Sequence, residues 1–203
     1  MGRGADAVRR VVDVTVALAG MMVLSPVLAV AALLIRVQMG PGVFFRQRRQ
    51  GLQGREINLL KFRTMKHPAP GREAPEFDAE RITKVGSMLR STSIDELPSF
   101  WNLLRGDITL VGPRPLPVHY WDRYCGEEYR RFEVKPGLTG VAQVSGRNMV
   151  DWPERLALDV EYVQTRTLLG DLKIILRTIP VVLGRSGISN GEVVTMHELP
   201  ADR

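Results

Sequence analysis

Residues Val14 to Ile35 read VTVALAGMMVLSPVLAVAALLI, a stretch of 22 residues that carries no charge and has Ser25-Pro26 at its midpoint. Eleven of them are Val, Leu or Ile. At roughly −0.3 to −0.6 kcal/mol each near a bilayer centre, these favour insertion by about 3 to 6 kcal/mol. The run is long enough for one transmembrane helix, yet its flanks argue against a crossing. Arg3, Arg9 and Arg10 precede it and Arg36, Arg46, Arg48 and Arg49 follow, whereas basic residues collect on the cytoplasmic side. Pro26 has no N–H for the carbonyl of Met22 and its ring presses on that carbonyl, so a helix bends or breaks here. The Ser25 hydroxyl can satisfy a backbone group freed by the break. We read a helix–break–helix hairpin that enters one leaflet and returns, with a kinked span as the alternative. A cleavable signal peptide is a third reading, from Arg9-Arg10 and Ala29-Val30-Ala31. Against it, the apolar run continues to Ile35 and exceeds the usual ~7 to 15 residue core of such a peptide.

Working outward, residues 1–38 form the membrane hairpin and residues 39–203 are enough for one compact cytoplasmic domain. Hydrophobic content of 44% and charged content of 25% are ordinary for a globular chain and select no function. Cys125 is the only cysteine, which excludes an internal disulfide and suits a reducing compartment. Three scattered histidines, His67, His119 and His197, exclude a His-rich zinc site. The net charge of +6 comes from 23 Arg and 5 Lys against 22 acids. Arg grips phosphate through a planar fork and also suits anionic headgroups, although a GC-rich genome yields the same bias. Nucleic-acid modules and ordinary nucleotide loops are absent.

Local patterns predict an α+β fold, mainly helical. Phe44 to Gln47 and Ile57 to Met65 read as two strands of a hairpin around Gly51 and Gly54, with Lys61 and Arg63 two apart on one face. Three prolines between His67 and Pro75 mark a loop. Helical spacing recurs over Glu80 to Leu89, Val118 to Phe132, Asp151 to Thr165 and Leu169 to Leu183. A short strand over Asp107 to Val111 runs into Gly112-Pro113-Arg114-Pro115. Leu168, Leu169, Leu172, Ile175, Leu176 and Ile179 make an apolar face suited to a membrane interface or to the core. Trp101, Trp121 and Trp152 have the same two options.

Candidate chemistry concentrates at Ser93-Ile94-Asp95-Glu96-Leu97-Pro98. One reading is a capping box, with Ser93 as N-cap, Glu96 three residues on and Asp95 favouring the dipole. Pro98 would then sit in the second turn and forfeit the bond to Ile94, whereas proline prefers the first helical position. If the helix starts near Pro98, both acids lie in the turn before it. An ionised Asp there can attack phosphorus. Because two carboxylates repel a phosphoryl group, a hard cation such as Mg²⁺ would be needed. Arg114, between two prolines, projects from a stiff base, as electrostatic catalysis requires. Lys61, Arg63 and Arg90 supply further positive charge, or are surface residues.

Arg90-Ser91 to Asp95-Glu96-Leu97-Pro98, Asn102-Leu103-Leu104-Arg105-Gly106-Asp107 and Gly112-Pro113-Arg114-Pro115 resemble the motifs of the bacterial sugar transferase family, the monotopic phosphoglycosyl transferases. The resemblance extends to Lys61-Phe62-Arg63-Thr64-Met65, to Lys135-Pro136-Gly137-Leu138-Thr139-Gly140, to Gln143-Val144-Ser145-Gly146-Arg147-Asn148 and to Asp171-Leu172-Lys173-Ile174. It is greatest to the small members that initiate bacterial N-linked protein glycosylation. This resemblance implies transfer of a phospho-sugar from a UDP-sugar to polyprenyl phosphate, with release of UMP, at the cytoplasmic face of the bacterial inner membrane. By the same resemblance Asp95 is the nucleophile of a ping-pong reaction and a ligand of Mg²⁺, and Glu96 completes the dyad. Lys61, Arg63, Arg90 and Arg114 fall to phosphate binding, Arg147 and Asn148 to the donor, and Ser25-Pro26 to the hairpin break. Two other classes use the same residues: a membrane-anchored hydrolase with water as acceptor, and a scaffold in which Asp95 and Glu96 only cap a helix.

Overall fold

A computed structural model describes residues 3–71, 77–146, 150–184 and 198–200. Helices dominate, with two small sheets set among them. The apolar run divides into α1 (Arg3–Val23) and α2 (Ser25–Met39), bent by 63° at Leu24. Met22, whose carbonyl proline cannot serve, accepts instead from the Ser25 hydroxyl at 2.7 Å. No single helix among the described residues is long and apolar enough to cross a membrane; the bent pair together passes that test by length and composition. Much of the pair's apolar surface is open, with Met22, Val23 and Val37 each more than 70% exposed.

The start of α1 is fastened to the rest of the protein. Arg9 Nε pairs with Asp171 Oδ2 at 2.7 Å. Arg10 donates to the carbonyls of Leu103 and Leu104. Buried Asp13 accepts from the Thr109 hydroxyl and the Leu110 N–H. Ala17 is fully buried where α1 passes Leu59, Leu103 and Ile108.

After α2 the chain forms the expected hairpin, β1 (Phe44–Gln50) antiparallel to β2 (Glu56–Phe62), in a register from Phe44 opposite Phe62 to Gln50 opposite Glu56. Gly54, with φ +72°, closes the turn where a side chain would meet Trp121. Glu80 to Leu89 proves not to be one helix. It divides into α3 (Asp78–Arg81) and α4 (Lys84–Ser91), with Ile82 bridged to Met65 and the Thr83 hydroxyl capping α4 through the Gly86 N–H. The cap offers the backbone an alternative to continued helix, and Thr83 takes it.

Next come a 3₁₀ turn over Ile94–Ser99, α5 (Phe100–Arg105) and β3 (Thr109–Val111). β3 pairs in parallel with β4 (Gly137–Thr139), a partnership the sequence reading did not anticipate. The two backbones approach so closely at Gly112 and Gly137 that a methyl group on Gly137 would lie 2.1 Å from the Gly112 nitrogen. The expected helix over Val118 to Phe132 is two 3₁₀ runs, Val118–Arg123 and Gly126–Glu133, with Tyr124 and Cys125 extended between them. Extension turns Tyr124 into a buried cluster with Leu116, Tyr120, Phe132 and Leu156.

The short α6 (Val141–Val144) leads to α7 (Trp152–Thr165) and α8 (Leu168–Leu183), close to the helices predicted by periodicity. On α8, Ile174 packs into the core while Leu168, Leu169, Leu172, Leu176 and Ile179 are 41% to 63% exposed. Ile175, expected on the same face, is partly buried against that core cluster, so core packing accounts for Ile175 and not for the other five. Trp101 and Trp121 are exposed as well, and Trp152 is half-buried against the core.

Candidate active site

The acidic pair is positioned by β2. Ser99, at the end of the 3₁₀ turn, donates its hydroxyl to the Leu60 carbonyl at 2.9 Å. Asn102 accepts from the Leu60 N–H and donates to the Asn58 carbonyl, both at 2.8 Å. These bonds set the turn beside the strand and bring Glu96 to Lys61. No capping box forms: Ser93 is left-handed, with φ +57°, and its side chain caps nothing. A non-glycine residue in that region carries local strain, of order 1–2 kcal/mol, and it stands immediately before the acids. Pro98 is accommodated because the turn is 3₁₀ and the α-helix begins only at Phe100.

The two neighbouring carboxylates occupy opposite environments. Glu96 Oε1 accepts from Lys61 Nζ at 2.8 Å and from Arg114 Nη2 at 3.0 Å. Lys61 first, and Arg114 after it, hold Glu96 well below the ordinary carboxylate range. No hydrogen bond or ion pair engages Asp95 among the described residues. Burial, reinforced by the Glu96 charge, raises Asp95 to about 6 against the pull of Lys61, Arg90 and Arg114. An ion-paired Glu96 thus adjoins an uncommitted Asp95 surrounded by cations.

Each cation has its own support. Arg90, in the last turn of α4, donates through Nε to the Thr64 hydroxyl at 2.9 Å. Arg114 lies between Pro113 and Pro115, and its carbonyl accepts from Arg131 Nη2 at 2.7 Å. Arg131 is in turn paired with Asp159 at 2.7 Å, and both side chains are 2% exposed. Charge-assisted bonds of this kind fix a backbone position firmly.

Arg63 lies elsewhere. It leaves Lys61's face where β2 ends at Phe62, and its guanidinium donates to the carbonyls of Met39 and Gly40 and contacts His67. There it caps the C-terminus of α2, where a cation complements the free carbonyls, and it is not part of the acidic site. Arg147 and Asn148 lie outside the described residues. One side chain was not foreseen: Arg49, on the same sheet face as Leu59 and Lys61, lines a cavity with Lys61, Glu96, Ser99 and Arg114. The register of the hairpin carried that signal, because Arg49 sits opposite Ile57, four residues before Lys61.

Among the described residues no three His, Cys, Asp or Glu side chains gather as a metal-binding set. With Glu96 ion-paired, a cation here would have Asp95 as its carboxylate ligand. Mg²⁺ commonly takes one or two carboxylates and completes its shell with water and substrate phosphates, so these residues fit it.

A fold led by a bent pair of apolar helices and carrying an acidic pair among phosphate-competent cations has the layout of a group-transfer enzyme working on phosphorylated substrates. The chain belongs to the bacterial sugar transferase family, whose model matches residues 4–185. It is 42% identical over 189 residues to the uncharacterized sugar transferase EpsL of Bacillus subtilis, covering 92% of this chain and 93% of that protein. It is 43% identical over 188 residues to a UDP-glucose:undecaprenyl-phosphate glucose-1-phosphate transferase of Caulobacter vibrioides, covering 88% and 70%. A transferase of the same name in Escherichia coli is 39% identical over 182 residues, but this chain spans only 39% of its length.

Proposed function

We propose that the protein is a phosphoglycosyl transferase that moves a phospho-sugar from a UDP-sugar to polyprenyl phosphate at the cytoplasmic surface of the bacterial inner membrane. The observation that carries this reading is the division of labour between Glu96, held by Lys61 and Arg114, and Asp95, left free beside Arg90. Relatives named for glucose-1-phosphate transfer to undecaprenyl phosphate support the same substrates.

Asp95 attacks the phosphorus that bears the sugar. A bond forms from its carboxylate oxygen to phosphorus as the bond to UMP breaks, and UMP leaves with the electron pair. A phosphate oxygen of the polyprenyl acceptor then attacks the same phosphorus, the acyl-phosphate bond breaks, and Asp95 is restored with polyprenyl-diphosphate-sugar as product. Lys61 and Arg114, oriented by Glu96, face the charge that develops on the phosphoryl oxygens, where preorganised donors are most effective. Mg²⁺, when bound by Asp95, would neutralise diphosphate charge.

The acceptor keeps its tail in lipid and its phosphate at the interface. The α1–α2 hairpin and the apolar face of α8 would hold the site at that depth.

The test is incubation with Mg²⁺, undecaprenyl phosphate and a panel of UDP-sugars while UMP release is followed. UMP and a lipid-linked sugar are expected with wild type and none with Asp95→Asn. Mass spectrometry after exposure to donor alone should find a phospho-sugar on Asp95. Free sugar phosphate without lipid product would indicate a hydrolase instead.

A further inference from the structure

Among the described residues Arg49 has no acidic hydrogen-bond or ion-pair partner. Its neighbour Arg48 points to the opposite face of β1 and forms an exposed fork with Glu56, Nη2 to Oε2 at 2.6 Å. Arg49 faces inward, on the side of Leu59 and Lys61, where Glu96 is the one acid among the described residues that line the cavity. Glu96 is already engaged by Lys61 and Arg114. The Arg49 Nε is buried and has no hydrogen-bond partner among the described residues. Arg114 stands close enough that its charge, after burial, lowers Arg49 to about 10.

A buried, unpartnered guanidinium donor held against a second cation is unfavourable and calls for an explanation. The described lining of the cavity has three cations, Arg49, Lys61 and Arg114, against one carboxylate, Glu96, a surplus of two positive charges. A doubly charged anion would cancel that surplus, satisfy the open Nε and turn the repulsion between Arg49 and Arg114 into joint attraction. Arg is the side chain best shaped to take phosphate oxygens in pairs.

We infer that Arg49 binds a phosphate of the substrate, acting with Arg114 in the cavity they line with Glu96. The inference rests on the phosphoglycosyl-transfer reading for the identity of the phosphate, which is either the donor diphosphate or the acceptor's lipid phosphate. It does not rest on that reading for the existence of the anion site.

Two kinds of measurement separate these points. Inorganic pyrophosphate binding to the full chain in detergent, by calorimetry, needs no turnover. Wild type should bind it, Arg49→Gln at least tenfold more weakly, and Arg49→Lys, which keeps charge without the fork, in between. Equal affinity in all three would overturn the inference, and Arg49 would then hold at most a structural water. In steady-state transfer, Arg49→Lys should raise the KM of one substrate about tenfold while kcat changes by less than threefold. A rise for the UDP-sugar assigns the donor diphosphate, and a rise for undecaprenyl phosphate assigns the lipid phosphate. Unchanged KM values for both, or a loss confined to kcat, would overturn it. If wild type releases no UMP from any donor yet binds pyrophosphate through Arg49, the transferase reading fails and the anion site stands. Should Arg49→Gln melt far below wild type, Arg49→Lys alone carries the comparison.

Discussion

Asp95 and Glu96 are adjacent in the chain and chemically alike, and their surroundings drive them in opposite directions. Two cations keep Glu96 ionised, while burial next to that negative charge resists ionisation of Asp95. The consequence for stability can be tested in metal-free protein. Burial raises Asp95 to about 6 in the fold, from the 3.8 of a free aspartate. Below 3.8 folded and unfolded chains are both protonated and the residue contributes nothing. As pH rises through the window between these values the unfolded chain releases its proton first, so the fold loses stability, and the loss is complete above about 6. Asn cannot ionise. In EDTA, Asp95→Asn should therefore match wild type in melting temperature near pH 3 and exceed it by a few degrees at pH 7.5. A difference that does not grow with pH would show that Asp95 is not the strained carboxylate of the pair.

At the scale of elements, helices α7 and α8 and the β1–β2 hairpin were legible because each follows from a local period or turn. The Ser25-Pro26 break was legible for the same reason, down to the carbonyl of Met22. Elements that depend on distant partners were not. The interruption at Ile82 and Thr83 needs Met65, and the parallel β3–β4 pair needs the contact of Gly112 with Gly137. The bend at Tyr124 needs a hydrophobic cluster assembled from four other segments. For the site, the acids, Lys61, Arg90 and Arg114 were visible as motifs. The departure of Arg63 was not, because nothing local shows that the C-terminus of α2 would claim it. The support of Arg114 was hidden too, since Arg131 and Asp159 are 28 residues apart. That support can be measured. Arg131→Met leaves Asp159 buried and unpaired, which should cost about 3–5 kcal/mol. Adding Asp159→Leu removes the orphaned charge and should recover much of the stability. Transfer should stay low in both, because the Arg114 carbonyl has lost its donor. Recovery of kcat together with melting temperature in the double variant would reduce Arg131 to a packing residue.

For the whole molecule, the proposed function requires the hairpin and the body to share one membrane surface. About 11 residues separate Asp13 from the bend at Leu24, and at roughly 1.5 Å per residue each arm is about 16 Å long. With the 63° bend divided equally between the arms, its vertex would lie roughly 9 Å deep, well short of a ~30 Å hydrocarbon core. The exposed leucines of α8 would rest on the same surface, since Arg9 ties α1 to Asp171. Leu172→Glu with Leu176→Glu should lower turnover on vesicle-embedded acceptor while leaving the melting temperature unchanged, whereas Ile174→Glu should unfold the protein. The proposed one-leaflet anchor is tested through its topology. Arg9, Arg10 and Asp13 hold the start of α1 to α8, α5 and β3, and the end of α2 runs directly into β1. Both ends of the hairpin are thus bound to one body, and a kinked span would have to tear all three contacts apart. In a Cys125→Ser background, Gly4→Cys and Arg55→Cys are suitable reporters, as both positions are exposed and no neighbour crowds Gly4. An impermeant maleimide should leave both unlabelled in intact spheroplasts and label both in inverted vesicles. Labelling of Gly4→Cys from outside would place α1 across the bilayer and remove the physical basis for a one-leaflet anchor.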